Sequence, residues 1–188
     1  MLKIKIARRQ EAGIFFGKRA VQMIRELARA LATFGEFVDG VIVEAQFRRG
    51  TFTAGAEVLK KYSSMALVRT RSSQAELSVK LIRPRKEIFP ALGCRIQSSE
   101  KIWRVFTASE VSEFVSAIGD ENKIHRLNPP IVPALLILEA LSAQFPDCKA
   151  IKLRFKNFIT AGEPLTLTNG ERLEICAAGV RKVSGKIL

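Results

Sequence analysis

The run Pro133-Ala-Leu-Leu-Ile-Leu-Glu-Ala-Leu-Ser-Ala-Gln-Phe145 reads as a helix that is apolar nearly all round its circumference. A helix without a polar face cannot lie against water, so the rest of the chain must enclose it. Pro133 suits its first turn, where a missing N–H is harmless. With 188 residues, 47% of them hydrophobic and 26% charged, the chain is long and apolar enough to build that enclosure as one domain or two small ones. The enclosing material reads as β-strand. Ile151, Leu153 and Phe155 alternate with Lys152, Arg154 and Lys156, and the runs Leu165 to Thr168, Arg172 to Ala177 and Val183 to Leu188 follow.

The first half repeats this order. A short strand pattern at Leu2, Ile4 and Ile6 precedes a helical stripe of Val21, Ile24, Leu27 or Ala28, Leu31 and Phe34, with Arg19, Arg25, Glu26 and Arg29 off the stripe and Gly35 placed to cap it. Val41, Val43, Ala45 and Phe47 then alternate as a strand, and two more are expected over Tyr62 to Thr70 and Ala75 to Ile82, joined by Arg71-Ser72-Ser73. Val43 to Phe47, leading to Phe52-Thr-Ala-Gly55, parallels Ile151 to Phe155, leading to Ile159-Thr-Ala-Gly162. The break at Arg83-Pro-Arg-Lys86 divides the repeats into residues 1–86 and 87–188. The expected class is α+β: two antiparallel sheets, each curled around one central helix.

Thirty-one Lys and Arg against 18 Asp and Glu leave a formal charge of +13, which attracts phosphorylated cofactors, acidic carrier proteins, anionic membranes or nucleic acid. The aromatics are 7% of the chain and nearly all Phe, a poor stock for stacking bases, which weighs against nucleic acid. Cys94, Cys148 and Cys176 are widely spaced and show neither a disulfide framework nor a metal-ligand pattern. The charged opening Met1-Leu-Lys-Ile-Lys-Ile-Ala-Arg-Arg9 lacks a signal peptide's apolar stretch. The expectation is a cytoplasmic protein with reduced thiols, no metal and no membrane partner.

In the second half Phe106 precedes Thr107-Ala-Ser-Glu110, the spacing of a capping box, and Val111, Phe114, Val115 and Ile118 form the apolar face of a short helix that Gly119 ends. The next residues are Asp120-Glu-Asn-Lys-Ile-His125, and His125 is the single histidine. A carboxylate beside an imidazole in a partly buried cleft can hold a water between them and move protons both ways near neutral pH. The same residues also suit an ordinary turn.

Phe106-Thr107 with Glu110, then Gly119-Asp120, Asn122 and His125, then Ile131-Val132-Pro133, resemble the motif of the MaoC-like (R)-specific enoyl-CoA hydratases and dehydratases of the hotdog fold. Leu153 to Phe155 and Gly162 look like that family's next strand and turn. The likeness covers residues 101–188 directly and the first half only through the internal repeat. It implies a double hotdog whose first repeat is degenerate, and a lyase acting across the 2,3 double bond of an enoyl thioester on CoA or acyl-carrier protein, in fatty acid metabolism.

By this resemblance Asp120 and His125 activate the water, the Ala134 N–H stabilises the enolate oxygen, and Gly119, Asn122 and Ser142 support them, Ser142 by bracing Asp120. No cofactor is implied. Arg48, Arg49, Lys152, Arg154 and Lys156 are the candidates for holding the thioester's phosphates, although for any one of them the outward position of an alternating strand is the stronger reading. Two departures stand out. Lys123 replaces the family's Pro, and only a short segment joins His125 to Pro133 where the family has a long overhang. The alternative is a non-catalytic acyl-thioester-binding or regulatory hotdog protein. Chain length, carrier, direction of reaction and whether a homodimer forms stay open.

Overall fold

The computed structural model describes residues 19–35, 40–84 and 101–188. The strand expected at Leu2 to Ile6 and the boundary between residues 86 and 87 lie outside them. A helix over residues 19–32 (α1) leads to four strands: β1 Val41–Arg49, β2 Gly55–Tyr62, β3 Met65–Arg71 and β4 Ala75–Ile82. Then come β5 Ile102–Val105, α2 Ala108–Ile118, a 3₁₀ turn Lys123–Arg126, α3 Ala134–Gln144, β6 Ala150–Phe155, β7 Pro164–Asn169, β8 Leu173–Ala177 and β9 Val180–Ile187.

The two sheets expected from the sequence are halves of one. Nine strands form a single sheet in the order β2-β3-β4-β1-β6-β9-β8-β7-β5, with every described pairing antiparallel. The halves join where β1 pairs β6, and that seam is built from the two copies of the sequence repeat. Ala45 lies opposite Leu153, its own equivalent, while Phe47 lies opposite Ile151. Such a register relates the copies by a local two-fold axis through the Ala45–Leu153 pair, so the repeat is also the hinge of the molecule's pseudo-symmetry. Gly185 allows β9 to close on the other side of β6, since a Cβ there would come within 2.3 Å of the Lys152 carbonyl oxygen.

The sheet face beneath the helices holds the core. Ala45 and Phe47 of β1, Leu77, Val79 and Leu81 of β4, Ile151 and Leu153 of β6 and Val183 of β9 are buried beneath α1 and α3. From α1, Ile24, Leu27, Ala28 and Leu31 point inward. From α3, residues on every side are buried, from Leu135 to Leu138 and on to Leu141 and Ser142, as its composition requires.

Glu139 is the exception in that apolar surface. It is buried in mid-helix and takes a two-pronged hydrogen bond from Arg25 of α1, both contacts at 2.8 Å. This ion pair ties the central helix of one half to that of the other.

Strand β2 was not legible. The expected strand from Tyr62 to Thr70 runs across the β2–β3 turn, and β2 itself is almost wholly exposed at the sheet's edge. An edge strand without a buried face shows no alternation to read, and its Lys60 and Lys61 are the kind of residue that discourages pairing with another chain.

Candidate active site

The site begins with a well-capped helix. Thr107 accepts the Glu110 backbone N–H at 3.1 Å while the Glu110 carboxylate accepts the Thr107 N–H at 2.7 Å, so α2 starts where the capping box placed it. It ends at Gly119, whose φ of 72° is the left-handed region that glycine enters freely. This turn delivers Asp120 into the interior, with its N–H donating to Val115 at 3.0 Å.

Asp120 and His125 meet there. Their side chains are 3% and 8% exposed, and the Asp120 Oδ2 to His125 Nε2 distance is 3.5 Å. Asp120 Oδ1 accepts the Asn122 N–H at 2.9 Å. His125 Nδ1 lies 2.7 Å from the Ile131 carbonyl oxygen. A carbonyl can only accept, so Nδ1 carries the proton and Nε2 presents a lone pair to Asp120. Burial pushes the Asp120 carboxyl above the usual carboxylate range, against the pull of His125, the Asn122 N–H and Arg126. Burial likewise pushes His125 below the usual imidazole value, against Asp120 and Ile131. Both shifts favour the uncharged forms. Arg126, rather than Lys123 in the departed Pro position, is the cation that Asp120 senses.

Asn122 holds the loop across the molecule. Its side-chain amide donates to the Gly40 carbonyl at 2.9 Å, just ahead of β1, and its oxygen accepts the Ile124 N–H at 3.3 Å. Sequence reasoning gave Asn122 a supporting role but could not see this tie, because the acceptor is a backbone group far away in the chain.

A cavity of about 250 Å³ opens at the pair. Val41, Ile42, Val43 and Ile82 come to it from the first half, and Phe114, Ile118, Ile131, Phe155, Phe158 and Ile159 from the second. Among its polar lining are Asp120, Asn122, His125, Lys156 and Asn157. Ala134 also lines it, as the first residue of α3, and no side chain caps that helix. The positive end of the helix therefore faces the cavity with backbone donors to spare.

Ser142 is elsewhere. Its hydroxyl accepts Arg49 Nη2 at 3.3 Å and it does not line the cavity. Two helical turns from Ala134 carry it about 12 Å along α3, which removes it from Asp120. Arg49 also donates to the Pro146 carbonyl, so it braces the far end of α3. Arg48 pairs with the buried Glu76 at 3.5 Å in a cluster with Arg69 and Arg71. Neither arginine lines the cavity, whose lining along β1 ends at Val43; at about 3.3 Å per residue they lie roughly 17 to 20 Å further along the strand.

Lys152, Arg154 and Lys156 fall together. They line a groove on the outer face of β6 and β9 with Arg172, Arg181 and Lys186, three cations that the sequence reading did not single out. Lys156 borders both the groove and the cavity. Lys152 stands directly opposite Lys186, a like-charged cross-strand pair. Among the described residues no group of His, Cys, Asp and Glu could hold a metal ion, and no helix is long and apolar enough to cross a membrane.

No family model matches the chain, and no curated protein does. Solved structures do. Two crystal structures of HtdX from Mycobacterium tuberculosis superpose with TM-scores of 0.63 and 0.61 at 11% and 14% identity, each over 94% of both chains. A MaoC domain protein from Chloroflexus aurantiacus, named as a dehydratase, superposes with a TM-score of 0.51 at 10% identity over 88% of this chain and 80% of its own. The fold is the double hotdog. In this hotdog the helix that sequence composition required to be enclosed is α3, and the loop before it carries the buried acid–imidazole pair.

Proposed function

We propose that the chain is a hydratase or dehydratase acting across the 2,3 double bond of an acyl thioester. The observation that supports this most is the buried Asp120–His125 pair beside the uncapped start of α3 in an apolar cavity. An enoyl thioester needs a base for water, an acid for the α-carbon and a donor for the carbonyl oxygen, with apolar walls for the acyl chain.

In the hydration direction, His125 Nε2 takes a proton from water as its oxygen bonds to the β-carbon. Electron density moves through the double bond onto the thioester oxygen, where the Ala134 N–H and the positive end of α3 stabilise it. The uncharged Asp120 then delivers its proton to the α-carbon and the carbonyl re-forms. The charged pair left behind resets when the imidazolium returns its proton to the carboxylate. Dehydration is the reverse. No step calls for a metal or cofactor.

The first repeat, within residues 1–86, acts as the wall of the acyl site and the second, 87–188, as the catalytic half. Lys156 and the basic groove beyond it suit the phosphates of CoA or the acidic surface of a carrier protein, either of which the field would steer to the cavity mouth.

The test is hydration of short and medium trans-2-enoyl-CoA and enoyl-carrier-protein thioesters, followed by loss of the conjugated absorbance, for wild type, Asp120→Asn and His125→Ala. Turnover abolished by both substitutions in folded protein is expected. Absence of turnover on every thioester, with acyl-CoA still bound, would instead make the chain a non-catalytic acyl-thioester binder.

A further inference from the structure

Lys182 is a charged residue buried where a strand should show it to solvent. On β9 it falls between Val183, which pairs with Ile175, and Arg181, which pairs with Cys176, so it is the extra residue of a β-bulge. Bulges re-aim side chains, and this one turns a lysine inward to 9% side-chain exposure. Its Nζ lies 2.7 Å from Glu163 Oε1, itself on a side chain 10% exposed, and donates to the Phe158 carbonyl at 3.0 Å. Glu163 Oε2 accepts the Thr160 N–H at 3.2 Å, and the Lys182 carbonyl accepts the N–H groups of Lys156 and Asn157 at 2.8 and 3.3 Å. One bulged residue thus grips the loop between β6 and β7 along most of its length.

That loop leads to the imidazole. Ile159 accepts the Val132 N–H at 2.8 Å, Thr160 bridges to Ile131, and Ala161 donates to Pro130 at 2.9 Å. Ile131 is the residue whose carbonyl fixes the His125 tautomer. Neither Lys182 nor Glu163 lines the cavity. Burying an ammonium and a carboxylate carries a desolvation penalty that can exceed their attraction, so such a pair is weak evidence of stabilisation by itself. A bulge that spends this on one loop calls for a role in positioning.

We infer that the Lys182–Glu163 ion pair is a positioning device: by fixing the β6–β7 loop against residues 130–132, it holds the Ile131 carbonyl where it keeps His125 protonated on Nδ1 and bare on Nε2. The link to catalysis rests on the hydratase reading above, whereas the effect on the imidazole does not.

Because His125 is the single histidine, ¹⁵N-histidine labelling gives one pair of ring nitrogen signals with no assignment problem. The wild type is expected to show a protonated Nδ1 and an unprotonated Nε2. In Lys182→Met and in the near-isosteric Glu163→Gln, checked for folding by circular dichroism, the two signals are expected to move toward each other as the tautomers mix. Glu174→Gln, which removes the partly exposed ion pair between the neighbouring strand and Arg181, is expected to leave them unchanged. If the wild type hydrates enoyl thioesters, the two clamp variants lose at least tenfold in kcat with KM changed less than about twofold, and Lys182→Arg recovers part of the loss. Unchanged ring signals in a folded clamp variant, or an equal change in Glu174→Gln, overturn the inference. Should Lys182→Met fail to fold, Glu163→Gln decides the matter. A wild type without turnover would defeat the hydratase reading alone, since the tautomer comparison stands without it.

Discussion

The two halves of the sheet meet as near-equivalents and part as opposites. At the seam Ala45 faces Leu153 and the repeat is close to symmetrical. At the cavity the first half brings Val41, Ile42, Val43 and Ile82, and its one described polar tie is the Gly40 carbonyl, which holds Asn122. The second half brings Asp120, His125, Lys156 and the start of α3. The repeat thus accounts for the frame, while among the described residues the buried acid–imidazole pair is carried by the second copy, on the capped helix α2 and the loop behind it. The first half lines its side of the cavity without a titratable group, an apolar wall that adds to the burial pushing the Asp120–His125 pair toward its uncharged forms.

The sharpest way to break this asymmetry is to remove the pair. Asp120→Asn and His125→Gln are each expected to cost about a thousandfold in turnover, the middle of the range for general acid–base groups. Yet Asp120→Asn should melt no lower than wild type at neutral pH, because it replaces a buried ionisable group with an uncharged one of the same shape. Thermal melts beside rate measurements check both. A variant that keeps turnover, or loses it only by unfolding, would mean the second half is not the catalytic one.

Next in size is the tie between the halves. Asn122→Ala removes the hydrogen bond to Gly40 and the cap on the 3₁₀ turn that carries His125. Misplacing a reacting group by about 1 Å can cost a hundredfold, so a loss of up to about that size in kcat is expected. The Arg25–Glu139 bridge is a second tie. Arg25→Met leaves a buried carboxylate without its partner and should lower stability by about 2 kcal/mol, discounted because the arginine is partly exposed. Denaturant unfolding checks it, and the double variant Arg25→Met with Glu139→Leu should recover much of the loss.

How much of this was legible follows from where each signal lives. The capping box, the left-handed Gly119, the enclosed helix and the repeat are local patterns, and all four are where the sequence put them. What escaped depends on distant partners. The β1–β6 seam that fuses two sheets into one, the Asn122–Gly40 bond and the Ser142–Arg49 contact each join residues far apart in the chain. Lys182 escaped for a different reason: a bulge puts it out of phase with the alternation that sequence reading relies on. Arg48 and Arg49 were read by charge alone, and acceptors within the fold had already claimed them.

The burial of the pair also has a pH consequence, smaller than the mutational ones. His125 has a folded value below its ordinary 6.5, so between the two the unfolded chain binds a proton that the native chain does not, and stability falls as pH drops through that window. Asp120 has a folded value above its ordinary 3.8, so in that interval the native chain keeps a proton the unfolded chain has lost, and stability falls as pH rises through it. Denaturant titrations across these windows should show His125→Gln removing the first slope and Asp120→Asn the second. Slopes unaffected by the substitutions would mean that the pair is hydrated despite the apolar wall of the first half.

The smallest expected effect separates the basic residues by half. Arg48 belongs to the first copy and is spoken for by Glu76, with its guanidinium also over the Phe52 ring. Lys156 belongs to the second copy, borders the cavity, and has no ion-pair partner among the described residues. Arg48→Ala should therefore change KM for an enoyl-CoA by less than about twofold at any salt concentration, since an exposed partner in a surface cluster adds little. Lys156→Ala should raise KM several-fold in dilute buffer, with the difference fading as added salt screens the field over the Debye length. Measuring KM for both variants across a salt series gives two curves. If they coincide, the steering comes from the net charge of the whole molecule and the groove beside the second half has no special part in it.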